Sequence, residues 1–295
     1  SPRGLDGVVG TLRSAPYGLS TRVIPLLIVA VLRDDVRAGN IIIERAVRNG
    51  DYQAKNVDGT TLDEAVADPS NHRLRYVNVT EMQFDAIEGL LVAVAGEAAN
   101  PGMRSHLLDE TKQQVTIWWS RTPGYCQNTT NLSPEAHRLR DLILRPLVHP
   151  EADAHAILVE KLRELIDTSR PRTRDDFAEG FRGLIAQIRG ALDDLPRRIA
   201  ADLSQTLAWG PALEPGAVCT KLVEWYGRLP ATTRDWCHPH DAGKLQAWLR
   251  GDQPCLEALC ESVMGKPLRD WADSDSGHLV GRVQAAIETI VKWEP

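Results

Sequence analysis

Residues 177–207 read FAEGFRGLIAQIRGALDDLPRRIAADLSQTL, and this stretch decides the fold class. Its large apolar side chains recur every three or four residues, at Phe177, Phe181, Leu184, Ile188, Leu192, Leu195, Ile199, Leu203 and Leu207. That spacing places them along one side of an α-helix, which then packs against a partner helix. Pro196 lies inside the row and predicts a kink or a restart of the helix, because proline lacks the backbone N–H donor.

The same helical periodicity covers most of the chain after residue 80. Further helices are predicted over 81–97, from Pro101 to about 120, from Pro134, and over 149–168, 218–229, 242–250, 256–264 and 279–292. Thr80 and Ser133 are typical helix N-caps, because their hydroxyl groups accept hydrogen bonds from the first free amides. The sequence therefore predicts a mainly α protein with a helical domain over residues 81–295, and a further boundary near 169–173.

The first 80 residues mix helical and strand signals. A helix over 24–33 is apolar almost all round, which predicts that it is buried. Two β-branched or aromatic segments, 41–43 and 52–57, flank Asn49-Gly50, a dipeptide typical of hairpin turns. A short helix over 60–67 and an alternating strand over 72–79 follow. Together these elements predict a winged-helix-like α+β unit over residues 1–80, ahead of a multi-helix array.

Composition narrows the protein class. The chain has 295 residues, 43% hydrophobic and 25% charged, which is typical of folded globular proteins. Its net charge of −6 argues against a generally basic protein that coats nucleic acid. The five scattered cysteines predict no disulfide framework and favour a reducing compartment. The sequence contains no apolar stretch of about 20 residues. We therefore expect a cytoplasmic protein without a membrane partner.

Complete catalytic motifs are absent from the sequence. The string nearest to a phosphate-binding loop is Met264-Gly265-Lys266-Pro267, which lacks the upstream glycine and the hydroxyl residue that reaches magnesium. Gly265 is instead predicted to end a helix in the left-handed conformation, with Pro267 behind it as a stop. We therefore expect no catalytic residue of a known motif and no cofactor.

The best candidate for metal chemistry is Cys237-His238-Pro239-His240, because zinc prefers thiolate and imidazole ligands. Cys255 and Cys260 follow, but residues five apart on a helix point about 140° apart, which suits two ligands of one ion poorly. The alternative is a group of partly buried thiols beside a histidine loop. Candidate metal ligands are Cys237, His238 and His240.

An enzymatic function without a known motif stays open as an alternative. A helical metal-dependent nuclease or hydrolase would use acidic and imidazole groups such as Asp273, Asp275, His238 and His240 for general acid and base work. The simpler interpretation of the two aspartates, with Ser274 between them, is a capping cluster at the start of the last helix.

Basic residues around the predicted hairpin suggest contact with nucleic acid. Arg and Lys on a wing and its neighbouring helix can neutralise phosphates of a duplex. The candidates are Arg45, Arg48, Lys55, Arg73 and Arg75. Acidic neighbours at 34, 35, 51 and 58 weaken the prediction, and a stand-alone DNA-binding regulator stays open as a further alternative.

Three stretches of the chain carry a family resemblance. They are SAPYGL at 14–19 running into IPLL at 24–27, TTNLSPEAHRLR at 129–140, and GKPLRDWAD at 265–273. In this order they resemble segments that follow the nucleotide-binding domain of large bacterial ATPases associated with phage defence and restriction. The Pro-Tyr-Gly segment is similar to BREX-type ATPases. This resemblance implies an intracellular subunit of an antiviral defence system.

The resemblance also implies what the chain does. The ATPase core would lie elsewhere, and this piece would act as a non-catalytic module for assembly, regulation or sensing of nucleic acid or a partner. Its expected partners are the ATPase domain or other subunits of a larger complex, and DNA as a further candidate. Because no Walker motif is present, the resemblance transfers ATP binding to no residue of this chain.

Overall fold

A computed structural model describes residues 3–37, 40–47, 52–55, 57–77, 79–96, 104–166, 172–210, 212–251 and 254–292. The protein is mainly helical and has a small antiparallel sheet near its N-terminus. The chain forms two compact units. Unit 1 contains residues 1–121 and 138–185, and unit 2 contains 122–137 and 186–295. The domain boundary predicted between residues 80 and 81 stays a prediction.

The sheet lies in unit 1 and has the strand order β1-β4-β2-β3. Its strands are β1 Arg3–Gly4, β2 Ile41–Ala46, β3 Tyr52–Lys55 and β4 His72–Tyr76. All neighbours are antiparallel, and β2 and β3 form the predicted hairpin, with Glu44 opposite Ala54. The predicted Asn49-Gly50 turn lies outside the described residues. Within the described part of the chain, every strand precedes residue 80.

Fifteen α-helical segments are defined over the described residues. They are α1 Asp6–Arg13, α2 Ile24–Arg37, α3 Gly59–Ala67, α4 Glu81–Ala95, α5 Arg104–Ser120, α6 Gly124–Asn128, α7 Pro134–Leu139, α8 Arg145–Leu147, α9 Leu162–Leu165, α10 Arg174–Thr206, α11 Pro215–Gly227, α12 Ala231–Asp235, α13 His240–Leu249, α14 Leu256–Met264 and α15 Asp273–Val291. Two π-helical turns, Arg140–Leu144 and Ala156–Lys161, precede α8 and α9.

The predicted helix starts agree with the observed caps. Thr80 and Gln83 form a capping box at α4, since each side chain bonds the backbone N–H of the other. The Ser133 hydroxyl accepts from the Ala136 amide at 3.3 Å. Gly265 ends α14 with a φ of 72°, the left-handed conformation that glycine adopts without strain. Local sequence signals therefore fix these helix ends.

Helix α2 departs from its prediction. Ile24 and Ile28 are buried in the core of the N-terminal α+β part, together with Ile43, Leu62 and other residues. The other side of the helix is not covered, and Leu26 is 70% exposed. The prediction of a fully buried helix was therefore wrong, because α3 and the sheet meet only one of its apolar sides.

Helix α10 runs without interruption through Pro196. The helix therefore does not restart at this proline, and the alternative, a kink, stays a prediction. Leu195 and Ile199 on either side of it are buried, and this packing supports the helix where one hydrogen bond is lost. The division between the two units falls inside α10, after Ile185.

Unit 2 combines α6, most of α10 and helices α11 to α15. Helix α15 begins at Asp273, ahead of the predicted Leu279, because the Asp275 carboxylate accepts from the Ala272 amide at 2.6 Å and caps the helix there. Over the described ranges of both units, no helix combines the length and apolar character that crossing a membrane requires.

Candidate functional site

A buried glutamate organises the charged groups of the N-terminal sheet. Glu44 on β2 is 5% exposed, and β4 places Arg73 directly opposite it. Arg73 Nε donates to Glu44 Oε2 at 2.5 Å, and Arg75 Nε lies 2.8 Å from Glu44 Oε1 as an ion pair. Alternate residues of a strand share a face, so both arginines lie on the same face as Glu44. Part of their positive charge is therefore neutralised within the protein.

The predicted nucleic-acid residues do not form one patch. Strand register puts Arg45 and Lys55 on the sheet face opposite to Arg73 and Arg75. Arg45 lies 3.7 Å from Glu64 in an exposed ion pair. The Arg73 guanidinium also lies 3.5 Å from the centre of the Tyr52 ring. Arg48 lies outside the described residues. Nucleic-acid binding by these residues stays a prediction.

His155 extends the Glu44 cluster. The imidazole is 5% exposed, and its Nδ1 lies 3.3 Å from Arg75 Nη2. Burial lowers the pKa of His155, and the neighbouring Arg75 charge lowers it further. The ring is therefore held neutral at physiological pH. Its other nitrogen, Nε2, is buried and has no hydrogen-bond partner among the residues that the structure describes.

The Cys237-His238-Pro239-His240 loop is held by ordinary structural hydrogen bonds. His238 is 7% exposed, its amide donates to Gln246 Oε1 at 3.3 Å, and its Nε2 lies 3.2 Å from the Thr233 carbonyl oxygen. Gln246 Nε2 also donates to the carbonyls of Arg234 and Trp236. Gln246 therefore fixes the loop around the histidine.

Metal binding finds no support in this loop. Cys237 and His240 are exposed, whereas the His238 ring is buried against a backbone carbonyl. No group of three or more His, Cys, Asp or Glu side chains that suits a metal ion occurs in the ranges that the structure describes. The metal role of Cys237, His238 and His240 stays a prediction.

The buried cysteines are poor nucleophiles. Cys126, Cys219 and Cys260 are free and buried. Burial raises the pKa of all three thiols, and that of Cys219 rises to about 11. The thiolate is the reactive form, so these residues behave as small apolar groups at neutral pH.

Two of the three stretches with a family resemblance meet around one carboxylate in unit 2. Asp273 accepts from the Thr129 hydroxyl at 2.6 Å, from the Thr130 amide and hydroxyl at 2.6 Å each, and from Asn131 Nδ2 at 3.0 Å. Burial alone would raise the pKa of Asp273, but hydrogen bonds from Thr129, Thr130 and Tyr125 outweigh it and lower the pKa to about 2. We call these four residues, 129–131 and Asp273, the Asp273 clasp.

Neighbouring contacts show that the Asp273 clasp is structural. Tyr125 is buried, and its hydroxyl accepts from Arg198. Lys266 donates to Asp275 at 2.6 Å, and the buried Trp271 donates to the Lys266 carbonyl oxygen at 3.1 Å. The predicted capping role therefore holds for Asp275, whereas Asp273 links the start of α15 to a distant loop. Fully bonded carboxylates of this kind stabilise a fold.

Sequence reasoning missed Glu44, His155 and Lys112 as members of a site. Glu44 directly follows the apolar run Ile41-Ile42-Ile43 within the same strand. A charged residue in such a strand is the one local signal that its side chain has a buried partner. His155 is 80 residues from Arg75 in sequence, and no pattern connects them. Comparison with protein families, curated proteins and solved structures found no match to the chain.

Proposed function

We propose that this chain is a non-catalytic interaction and regulatory module of a larger bacterial defence-associated ATPase. It binds the ATPase domain, or another subunit of the same complex, through an apolar face of α2. The proposal rests on the exposure of this face, and the choice of an ATPase as the partner follows from the resemblance of three short stretches to phage-defence ATPases. The expected place of action is the bacterial cytoplasm.

What we call the outer face of α2 consists of Leu26, Leu27, Ala30 and Val31, together with Val23, which directly precedes the helix. These positions follow the spacing i, i+3, i+4, i+7 and i+8, so they form one continuous apolar side of the helix. Val23 is 45% exposed, Leu26 70% and Val31 73%. Exposed apolar surface of this extent on a helix is typical of a protein interaction site.

A helix with two apolar sides is normally covered on both. The inner side of α2, with Ile24 and Ile28, is already buried in the core of the α+β part. A partner helix or groove that covers the outer face would complete this burial. Asp34, four residues after Ala30, continues the same side with a charge that marks the rim of the contact.

We retain the winged-helix-like assignment of the N-terminal part as a proposal. The β2–β3 hairpin would serve as the wing, and α2 precedes it in the chain. A protein partner is favoured over a DNA duplex, because α2 is apolar on its free side and Glu44 pairs with Arg73 and Arg75. Nucleic acid would then be sensed through the complex as a whole.

The test uses the ATPase polypeptide that is encoded in the same or a neighbouring open reading frame. We expect the purified chain and this ATPase to form a complex whose mass is measured by light scattering after size-exclusion chromatography. Leu26→Lys and Val31→Lys should each weaken the complex by about 30-fold, since a central apolar contact contributes about 2 kcal/mol. Val291→Lys is the matched control, because Val291 is 55% exposed on α15.

Two results would contradict the proposal. The first is a genomic context without an ATPase in the same or a neighbouring reading frame. The second is a complex that Leu26→Lys and Val31→Lys weaken no more than Val291→Lys does. Circular dichroism of each variant confirms that the helix content is unchanged, since the substituted side chains are exposed in the isolated chain.

A further inference from the structure

A buried imidazole connects the surface segment 149–155 of unit 1 to the N-terminal sheet. His155 lies at the end of this segment, directly before the π-helical turn Ala156–Lys161, and is 5% exposed. Its Nδ1 lies 3.3 Å from Nη2 of Arg75 on β4. We call this arrangement, with the ring in contact with Arg75, the closed form of the segment.

The direction of this hydrogen bond fixes the charge of the ring. A guanidinium can only donate, so His155 Nδ1 accepts from Arg75 through its lone pair. The ring is then neutral, with its proton on Nε2. Protonation of Nδ1 would remove the acceptor, and two N–H donors of two cations would face each other. The closed form therefore requires a neutral His155.

Charged groups of two strands and of its own segment act on the ring. They are Arg75 on β4, Glu44 on β2, and Asp153 and Glu160 on either side of His155 in sequence. Ionisable side chains also line the small cavity beside the ring. They are Lys55 on β3, Asp58 before α3, and Asp109 and Lys112 on α5.

The three carboxylates that act on His155 are engaged elsewhere. Glu44 binds two arginines, and Glu160 lies 3.6 Å from Arg75 and is 58% exposed. Asp153 accepts from the Ala156 amide at 3.0 Å. All three still favour a charged imidazole, but burial and the charge of Arg75 outweigh them. The balance of charges therefore supports the neutral ring that the hydrogen bond requires.

The same balance gives the closed form a pH dependence. Burial, and after it the charge of Arg75, lower the pKa of His155 below its ordinary value of 6.5. In an open segment the ring regains water and that ordinary value. The open form then binds the proton more tightly, so the closed form is fully favoured above 6.5 and loses stability as the pH falls below it.

We propose that His155 is a proton-sensitive latch, which holds the segment 149–155 on the sheet when the ring is neutral and releases the segment when the ring is protonated. The latch acts between about pH 7 and about pH 5, where imidazoles titrate and ordinary carboxylates stay charged. It uses no residue of the outer face of α2. The proposed docking function and the latch can therefore fail separately.

Hydrogen exchange of the full chain, followed by mass spectrometry at about pH 7 and about pH 5, measures the opening of the segment. Each rate is divided by the intrinsic rate at the same pH. Peptides that span 149–157 should lose about tenfold of their protection at the lower pH, because each pH unit below the ordinary value shifts the equilibrium about tenfold. Peptides of α11, a helix without histidine, should keep theirs.

Two variants assign the effect to one ring. His155→Gln keeps an oxygen that can accept from Arg75 but takes up no proton, so its segment should be equally protected at both pH values. His149→Gln, at an exposed histidine of the same segment, is the matched control. It should lose protection at the lower pH as the unchanged chain does.

The proposal is overturned if peptides 149–157 of the unchanged chain are equally protected at both pH values. It is also overturned if His155→Gln loses protection at the lower pH as the unchanged chain does, or if His149→Gln abolishes the loss. The first comparison needs no substitution, so it tests the latch even if His155→Gln fails to fold.

Discussion

At the scale of single residues, Asp273 carries a concentrated set of hydrogen bonds in unit 2. Its carboxylate accepts hydrogen bonds from the hydroxyls of Thr129 and Thr130, from the amide of Thr130 and from the side chain of Asn131. Charge-assisted bonds of this kind are about twice as strong as neutral ones. Asp273 therefore fixes the loop 129–131 against the start of α15 through its charged form.

Replacing Asp273 tests this role and gives a pH dependence. The folded carboxyl has a pKa of about 2, against an ordinary value of 3.8. Its stabilisation is therefore fully present above 3.8 and is lost as the pH falls through about 2. We expect Asp273→Asn to lower the free energy of unfolding at neutral pH by about 1 to 2 kcal/mol, allowing for partial exposure to solvent.

Urea unfolding of both proteins, followed by circular dichroism, measures this difference. The gap between them should shrink as the pH falls from 3.8 towards about 2, because Asp273 is protonated in the unfolded chain first and in the folded chain only near 2. Asp270→Asn is the control, since Asp270 is exposed on the neighbouring turn. A gap that stays constant down to the lowest pH would mean that the charge of Asp273 does not stabilise the clasp.

At the scale of elements, close helix packing in unit 1 depends on Gly89 in α4. A Cβ atom at this position would lie 2.7 Å from Phe177 Cβ and 2.9 Å from the Ala178 amide nitrogen of α10. One of these neighbours is backbone, which cannot move aside cheaply. The absence of a side chain at 89 therefore lets α4 approach the first turn of α10.

Two alanine substitutions separate this packing effect from helix propensity. Gly89→Ala should lower the free energy of unfolding by about 1–3 kcal/mol, because it overpacks the contact. Gly183→Ala, in α10, meets no atom within 4 Å and should raise it by about 0.4–1 kcal/mol. Thermal unfolding measures the stability of both variants relative to the unchanged chain. Equal effects of the two substitutions would show that α4 and α10 are not in close contact at Gly89.

Element types and ends were predictable from sequence because their signals are local. Thr80, Ser133 and Gly265 mark helix ends by hydrogen bonds and backbone conformations that involve only near neighbours. Partners that are distant in sequence were not predictable. Arg75 and His155, or Thr129 and Asp273, meet only because the chain folds, and no periodicity encodes their contact. This is why the contact with His155 escaped prediction although Arg75 was a candidate residue.

Helix α2 shows that contacts of apolar residues are equally hard to predict from sequence. Its composition predicted burial, but composition does not say which neighbour covers which side. The structure covers Ile24 and Ile28 and leaves Leu26 and Val31 exposed. The uncovered side is the one that a partner would bury, and it is therefore the proposed docking face.

At the scale of the whole molecule, the chain combines two structural units with no complete catalytic motif in its sequence. Unit 1 presents the proposed docking feature, the outer face of α2. Unit 2 contains the Asp273 clasp, where the loop 129–131 and the start of α15 pack together. Under the proposed function unit 1 would recognise the partner, whereas the clasp of unit 2 keeps its own helices in place.

The most direct test of the docking proposal is the accessibility of position 31 in the complex. Val31→Cys places a thiol on the outer face of α2, and Val291→Cys places a matched thiol on α15. Peptide-resolved alkylation measures how fast each introduced thiol reacts in the free chain and in the presence of the encoded ATPase. We predict that binding slows the reaction of the Val31→Cys thiol about tenfold or more, as burial at an interface would, and leaves the reaction of the Val291→Cys thiol unchanged. Equal reactivity of the Val31→Cys thiol in the free chain and in the complex would contradict the proposed docking face.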